Sequence, residues 1–262
     1  MKLIDTINHS EVVYLVPLGD IHAGSRFVDW KKLQGYIDWI AERPNAYSFI
    51  PGDLFDVSTV ESPTTPYDQK MNLNQAIDYM TEVFKPIINK IIGAISGNHE
   101  ERLEKYAGFN PLEEWCHRNN VFYAGYSAVL RFRIGKHIRT ELNIVSPKIE
   151  YVLFVHHSVG GGATSGGKLN AIEKLTKIFI GADAYLGGHN HFEAEGKPAP
   201  YYLSKSGNGK ASIQQLKQHL VDTGSFVLYE DNYPEMKALP PSATGAPRIR
   251  MNGIKKDLHI SY

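Results

Sequence analysis

The sequence predicts an α/β protein, and two features of its apolar pattern support this fold class. Over the first hundred residues, short apolar runs that are typical of buried strands alternate with segments whose apolar positions follow helical spacing. Beyond residue 110, strand-like runs follow one another with only short turns between them, such as Gly135-Lys136. The first pattern predicts strands that alternate with helices, and the second predicts a meander.

Each predicted strand of the first half ends in a polar loop. The three strands, each given with the loop that follows it, are Val12–Leu18 with Gly19-Asp20, Ala46–Ile50 with Pro51-Gly52-Asp53, and Lys90–Ser96 with Gly97-Asn98-His99. Helical spacing predicts helices over Asp29–Glu42 and Asp68–Asn89, and Arg43-Pro44-Asn45 ends the first of them. The order strand, loop, helix, strand is that of the βαβ unit.

The second half adds more strands, one further helix and a long final segment. The predicted strands are Val121–Tyr123, Ala128–Ile134, His137–Val145, Tyr151–Val155 and Ala184–Leu186, with alternating strands again from Tyr201 to Tyr229. A glycine-rich loop, Gly160–Gly167, precedes a predicted helix at Leu169–Phe179 and is expected to be a mobile lid or a rim for substrate. Residues 1–231 are expected to form a single domain. Residues 232–262 show little periodicity and are expected to form a tail that packs on the domain or is disordered.

Composition excludes several classes of protein. The 28 basic and 28 acidic residues cancel, which argues against binding of nucleic acid by bulk charge. No apolar run reaches the length of a membrane span, and Met1–Ser10 lacks the apolar core of a signal peptide, so a cytoplasmic location is expected. Cys116 is the only cysteine, and we expect it to pack as a small hydrophobe in a helix over Pro111–His117.

Histidines and carboxylates concentrate where the predicted strands end. Six of the eleven histidines lie there: His22, His99, His156, His157, His189 and His191. Asp20 and His22 are two residues apart, as are His189 and His191, so on an extended segment each pair points to one side and can converge on one ion. Asp53, Asn98-His99 and His156 also follow buried runs. Together these residues predict a metal site.

The predicted ligand set has more members than one ion can use. Two aspartates, one asparagine and at least four histidines, without any thiolate, suit Mn²⁺, Fe or Zn²⁺. A single ion that must keep an open position cannot hold seven such groups. Two ions about 3.5–4 Å apart that share a carboxylate can hold them, and Asp53 is our candidate for the shared ligand.

The order of these motifs resembles the signature of calcineurin-like metallophosphoesterases. Five blocks carry the resemblance, which extends from about residue 14 to residue 192: Asp20-Ile21-His22, Gly52-Asp53-Leu54-Phe55-Asp56, Gly97-Asn98-His99-Glu100, Val155-His156 and Gly188-His189-Asn190-His191. The resemblance implies a four-layer αββα sandwich of two mixed sheets, with the metals at the strand ends. It also implies hydrolysis of phosphate esters by a hydroxide that bridges two divalent ions, with Mn²⁺ as the expected metal and Fe, Zn²⁺ or Ni²⁺ as alternatives.

The resemblance also implies a role for each residue. The ligands of the first ion would be Asp20, His22 and His191; those of the second would be Asn98, His156 and His189; Asp53 would bridge the two. His99 would contact the phosphate or protonate the leaving group, and Asp56 would orient it. A carboxylate behind an imidazole fixes the tautomer of the ring and raises its protonated fraction.

Two consecutive histidines leave the second ligand set open. The family often has a proline two residues after this ligand, whereas this chain has His157-Ser158 and then glycines, so either histidine could be the ligand. His156 is preferred because the strand Val152–Val155 leads straight into it and because the family's ligand is the first of such a pair. His157 would then face a neighbouring strand or the substrate.

The substrate is less constrained by the sequence than the metal site. Asn98, Arg102, His157 and Lys168 are the candidates for substrate contact. Phosphodiesters, as nucleotides or as DNA or RNA strands, are the expected substrates, because this chain resembles the stand-alone bacterial or phage phosphodiesterases and nucleases of the family. Basic and aromatic residues between Arg131 and Arg139 could follow a strand backbone. No membrane partner is expected, and the oligomeric state has no signature.

Two alternatives remain at this point. A phosphomonoesterase is the first, because Gly-Asn-His-Glu is also found in protein Ser/Thr phosphatases. The continuation Leu54-Phe55-Asp56-Val57 lacks the Arg-Gly that those phosphatases place after the second aspartate. The second alternative is a scaffold without activity, as in the subunit of retromer with this fold; it is disfavoured because His99 and every ligand position hold competent residues.

Overall fold

The computed structural model describes residues 1–58, 68–139, 144–157, 160, 162, 164–205 and 211–262. The strands are β1 Lys2–Asn8, β2 Val12–Pro17, β3 Ala46–Ile50, β4 Ile91–Ala94, β5 Ser127–Ile134, β6 His137–Arg139, β7 Ile144–Ser146, β8 Ile149–His156, β9 Ala184–Gly187, β10 Glu195–Gly196, β11 Tyr201–Lys205, β12 Ala211–Gln215, β13 His219–Asp222, β14 Arg248–Asn252 and β15 Leu258–Ser261. The helices are α1 Trp30–Ala41, α2 Leu73–Phe84, α3 Asn98–Ala107, α4 Pro111–Arg118, α5 Ser165–Glu173 and the short α6 Tyr233–Met236.

Two mixed sheets form the centre of the molecule. One has five strands in the order β15-β14-β2-β3-β4, and the other has six in the order β1-β5-β8-β9-β13-β10. Strands β2, β3 and β4 run parallel, as do β8, β9 and β13. Because parallel strands end at the same edge of a sheet, the loops after β2, β3 and β4 come together, and so do those after β8 and β9.

Three apolar clusters hold four layers together. Between the sheets, the inward-facing residues of both form one core, for example Leu15 and Phe49 with Leu153. The outer face of the five-stranded sheet packs on α1, α2 and α4, and the outer face of the six-stranded sheet packs on α5. The predicted α/β class and the four-layer αββα arrangement are confirmed.

Most predicted helices form, with ends set by local chemistry. Helix α1 begins after Asp29, whose carboxylate accepts a hydrogen bond from the Lys32 N–H, as expected for an N-cap. The predicted helix Asp68–Asn89 is shorter in the structure: a capping box at Asn72 begins α2, and Pro86 lies in a 3-10 turn, Lys85–Lys90, that follows it. Cys116 is buried in α4, where burial raises the pKa of its thiol.

The final segment differs most from the sequence expectation. Within residues 232–262, which were expected to pack on the domain as a tail or to be disordered, residues 248–261 supply two strands, and β14 lies between β15 and β2 inside the five-stranded sheet. Ile249 and Met251 of β14 are fully buried in the core between the sheets. At the other end of the chain, β1 was not predicted and pairs in parallel with β5. Within the described ranges, no helix is both long enough and apolar enough to traverse a membrane.

Candidate metal centre

The predicted ligands lie on tight turns directly after the strands. Five of them have a backbone φ in the left-handed region: Asp20 (48°), His22 (55°), Asp53 (49°), His189 (71°) and His191 (48°). Such a conformation costs a residue other than glycine about 1–3 kcal/mol unless the surroundings enforce it, and it is concentrated at functional sites. The turns therefore direct these side chains toward the space between the ends of the two sheets, and the strained backbone conformation costs free energy.

Close backbone packing joins the turns to one another. A Cβ added to Gly97 would lie 2.1 Å from Oδ1 of Asp53, and one added to Gly188 would lie 2.7 Å from Oδ2 of Asp20. Glycine at these positions lets the loop after β4 approach Asp53, and lets the loop after β9 approach Asp20. This close approach brings ligands from separate strands within reach of the same ions.

One group of donor atoms consists of Asp20, His22 and His191. Nε2 of His191 lies 3.1 Å from Oδ1 of Asp20 and 3.2 Å from Nε2 of His22. Nε2 of His22 is also 3.8 Å from Oδ2 of Asp53. These are the residues that the family resemblance implies for the first ion, and the structure brings them together.

A second group surrounds Asp53 on its other side. Nε2 of His157 lies 3.2 Å from Oδ2 of Asp53 and 3.1 Å from Oδ1 of Asn98. Nδ1 of His189 lies 2.6 Å from the same Asn98 oxygen. Asp53 thus stands between the two groups, in the position expected of a shared ligand.

His157 occupies the place that the sequence analysis gave to His156. Side chains alternate along β8, so that Leu153 and Val155 face the core between the sheets while Phe154 faces α5. His157 continues the inward series and is 3% exposed, whereas His156 lies on the same side of the strand as Phe154. The structure therefore places His157, rather than the preferred His156, against Asp53 and Asn98.

Buried carboxylates give the centre a strong demand for positive charge. Asp20 and Asp53 are 0% and 1% exposed, and burying an anion is costly unless a cation or several donors compensate for it. Burial alone would raise the pKa of Asp53, but His157 and His99 hold it well below its ordinary value. Conversely, burial would lower the pKa of His157, but Asp53 and Asp20 raise it to about 10.

The donor set matches divalent metal ions. The described residues contain three groups in which the donor atoms all lie within 4.8 Å of one another. These groups are Asp20, His22 and His191; His22, Asp53 and His99; and Asp53, His157 and His189. Carboxylate oxygen with imidazole nitrogen is the ligand chemistry of Mn²⁺, Fe and Zn²⁺. In addition, Nδ1 of His157 lies 2.9 Å from the carbonyl oxygen of Pro51, which fixes that nitrogen as the donor and leaves Nε2 for a metal.

His99 and Asp56 form a pair beside these ligands. Nδ1 of His99 lies 3.1 Å from Oδ1 of Asp56, and the rings of His99 and His22 meet edge to face with centroids 4.5 Å apart. Burial would lower the pKa of His99, but Asp53 and Asp56 raise it above its ordinary value. The imidazole is therefore held with Nδ1 against a carboxylate.

Glu100 is a functional candidate that the sequence analysis missed. Its buried carboxylate accepts hydrogen bonds from the backbone N–H groups of Asp53 (3.0 Å), Phe55 (3.1 Å) and Gly97 (2.9 Å). Burial and the neighbouring Asp53 raise the pKa of Glu100 to about 7. Glu100 fastens the loop after β3 to the loop after β4. Its place next to Asn98-His99 was visible in the sequence, but two of its three partners, Phe55 and Asp53, are 45 and 47 residues away.

A cavity of about 430 Å³ opens onto the centre. Arg102 and Lys168, two of the predicted substrate contacts, both line it. Arg102 donates a hydrogen bond of 2.9 Å to the Val57 carbonyl, and Nζ of Lys168 stands 4.6 Å from the centroid of the Phe192 ring. Asn98 lines the cavity as well, and His157 instead lies deeper, among the metal ligands. The glycine-rich loop 160–167 lies partly outside the described residues.

Two arginines of the basic segment proposed for nucleic acid are engaged within the protein. Arg131 and Arg133 of β5 both pair with Asp5 of β1, the second at 2.7 Å. The side chains of His137 and Arg139 lie outside the described residues. The arginines of this segment therefore support the pairing of β1 with β5.

Comparison with known proteins gives a family for the chain. Residues 15–193 match the family model described as Calcineurin-like phosphoesterase. A search of the curated proteins returned no match. Among solved structures, the chain is similar to the NAD nucleotidase (NadN) of Haemophilus influenzae, with 9% sequence identity and a TM-score of 0.42 over 96% of this chain and 49% of that one. The chain thus spans about half the length of that nucleotidase.

Proposed function

We propose that this chain, a member of the calcineurin-like phosphoesterase family, hydrolyses phosphoric esters and cleaves phosphodiesters at a centre of two divalent metal ions. One observation carries the proposal. Donor atoms from the ends of five strands converge on both sides of the buried Asp53 carboxylate, beside an imidazole that is paired with Asp56.

The proposed ligands fall into two sets that share Asp53. The first set is Asp20, His22 and His191, and the second is Asn98, His157 and His189. When bound, two such ions lower the pKa of a water molecule that attacks phosphorus, and they neutralise the phosphate oxygens. Oxygen and nitrogen donors without a thiolate suit Mn²⁺, Fe or Zn²⁺, and among these Mn²⁺ is the proposed metal.

His99 is the proposed catalytic acid. The Asp56 carboxylate lies 3.1 Å from Nδ1 as an ion-pair partner without a hydrogen bond, and its negative charge stabilises the imidazolium that would donate a proton to the departing oxygen. A general acid in this position contributes about 10²–10⁴-fold to the rate. Arg102 and Lys168 are proposed to bind the phosphate or the group attached to it, since both line the cavity.

The test of His99 uses two diesters that differ in their leaving group. p-Nitrophenolate leaves readily without a proton, whereas the alkoxide of a dinucleoside monophosphate does not. We expect His99→Ala to slow the dinucleoside monophosphate by about 10²–10⁴-fold and to slow bis-p-nitrophenyl phosphate much less. The control is His117→Ala, on the exposed surface of α4, which should leave both rates unchanged. Equal losses on both diesters would remove the acid role from His99.

Metal dependence and substrate class follow from the same assay. Treatment with a chelator should abolish turnover, and Mn²⁺ should restore it. Faster turnover of p-nitrophenyl phosphate than of the diester would replace the proposal with a phosphomonoesterase. Absence of turnover for every ester in the presence of Mn²⁺, Fe²⁺ or Zn²⁺ would contradict a metal-dependent phosphoesterase.

A further inference from the structure

The cavity at the metal centre has a second wall that the family motifs do not supply. It comes from the segment of residues 227–244, which follows β13 and which we call the C-terminal strap. The strap residues that line the cavity are Val227, Tyr229, Asn232, Pro234, Leu239, Pro240, Ser242 and Ala243. They lie beyond residue 193, where the match to the family model ends.

The strap is anchored at its base and tied across its middle. At the base, Val227 bridges to Val28, and the Gly245 N–H donates to the Ser225 carbonyl at 2.8 Å. Ser225 in turn donates from Oγ to the carbonyl of Asp20, 3.0 Å away, so the strap begins next to a proposed ligand. Across the middle, the hydroxyl of Tyr229 donates to the carbonyl of Leu239 at 2.9 Å. These bonds hold the strap in a defined position over the centre.

The two walls differ in charge. The other wall contains His99, the cations Arg102 and Lys168, and five of the proposed ligands: His22, Asp53, Asn98, His189 and His191. None of the strap residues that line the cavity is charged, and Val227, Leu239 and the two prolines are apolar. The charged residues of the strap are three acids, Glu230, Asp231 and Glu235, and one base, Lys237; all four are exposed to solvent, and the net charge of the strap is negative. A nucleic-acid strand requires cations along its path, whereas this surface would repel one.

We propose that the strap selects small phosphodiesters in which one of the two organic groups is uncharged and largely apolar, and that it excludes nucleic-acid strands. The phosphate would lie at the charged wall, and the organic group would lie against Val227 and Leu239. A volume of about 430 Å³ is within the range of about 300–1,000 Å³ found for small-molecule sites. This inference rests on the proposed phosphoesterase function and narrows its substrate class.

The test measures binding with probes that the enzyme cannot hydrolyse. Benzylphosphonate and methylphosphonate share the charged group and differ only in the apolar one, and calorimetry on the Mn²⁺-loaded protein gives both dissociation constants. We expect benzylphosphonate to bind about ten-fold more tightly or better. Leu239→Asp should remove most of this preference, and Val227→Ser should reduce it. Met236→Asp is the control, because Met236 is 68% exposed in the same strap and does not line the cavity.

Several outcomes would overturn the inference. These are equal affinities for the two phosphonates, a preference that survives both Leu239→Asp and Val227→Ser, or a phosphorothioate oligonucleotide that binds more tightly than benzylphosphonate with a steep dependence on salt. Turnover of bis-p-nitrophenyl phosphate by the same preparation is measured separately. Absence of that turnover would contradict the phosphoesterase proposal. The two phosphonate affinities would still show whether the strap binds an apolar group.

Discussion

At the scale of single residues, the two nitrogens of the His157 ring have separate partners. Nδ1 faces the Pro51 carbonyl, and Nε2 faces Asp53 and Asn98. We expect His157→Ala to weaken binding of one of two Mn²⁺ ions by more than the roughly 10–100-fold that loss of a ligand's hydrogen-bonding partner costs. Metal content after dialysis and calorimetric titration with Mn²⁺ would measure the loss.

The neighbouring histidine provides the control for that experiment. His156 is on the opposite side of β8, so His156→Ala should retain both ions and most of the activity. The reverse result, with loss of metal in His156→Ala only, would restore the first of the two histidines as the ligand.

Residue patterns in the sequence were enough to select most residues of the candidate site, but not the residues that support them. Asp20, His22, Asp53, Asn98 and the pair His189-x-His191 each follow an apolar run, so strand ends alone predicted that they meet. The choice between His156 and His157 depended on the side to which each points, which follows from the alternation of Leu153 and Val155 in β8. The contacts of Glu100 and the strap join residues far apart in the chain, and no local pattern contains them.

At the scale of secondary-structure elements, the final strands complete the five-stranded sheet. Only two apolar residues alternate with arginines and asparagine in β14, which is too short a pattern to identify a strand. The pairing with β2 shows that Ile249 is a core residue. We expect Ile249→Ala to lower the free energy of unfolding by about 2–4 kcal/mol, measured by urea denaturation.

A matched substitution lies a few residues further along. Ile254, in the turn between β14 and β15, is 53% exposed, and Ile254→Ala should change the free energy of unfolding by less than about 0.5 kcal/mol. Similar effects for the two variants would mean that β14 contributes little to the core.

The pairing of β1 with β5 carries a dependence on pH. A hydrogen bond from Arg131, together with Arg133, holds the pKa of Asp5 below its ordinary value of 3.8, although partial desolvation opposes this. A carboxyl group whose pKa is lower in the folded state stabilises it above the unfolded value, and this stabilisation is lost as pH falls through the folded value. Asp5→Asn should therefore be less stable than the parent protein at pH 7, by less than about 1 kcal/mol because the pair is partly exposed.

Urea denaturation of both proteins at pH 7 and pH 3 would measure this effect. The difference in unfolding free energy should narrow at the lower pH, and it should also narrow in 1 M salt, which screens the charges. A difference that is the same under all three conditions would assign the effect to side-chain packing.

At the scale of the whole molecule, the proposed metal centre connects the two sheets. Asp20, His22, Asp53 and Asn98 follow strands of the five-stranded sheet, whereas His157, His189 and His191 follow strands of the six-stranded sheet. Ions held by both groups would bind only when the sheets are in register, so binding should stabilise the folded state. At a thousand-fold excess over its dissociation constant, one ion contributes about 4 kcal/mol, which corresponds to a rise of roughly 10 °C in the unfolding temperature.

Scanning calorimetry with and without Mn²⁺ would measure this rise. His22→Ala removes a proposed ligand from the five-stranded sheet, and His189→Ala removes one from the six-stranded sheet. Each variant should lose a large part of the rise in unfolding temperature, because fewer ligands from that sheet bind the ions. His156→Ala should retain the full rise. The contrary result would be that only one of the two variants, His22→Ala or His189→Ala, reduces the rise in unfolding temperature. The ions would then be held by the sheet that carries that residue, and the metal centre would not connect the two sheets.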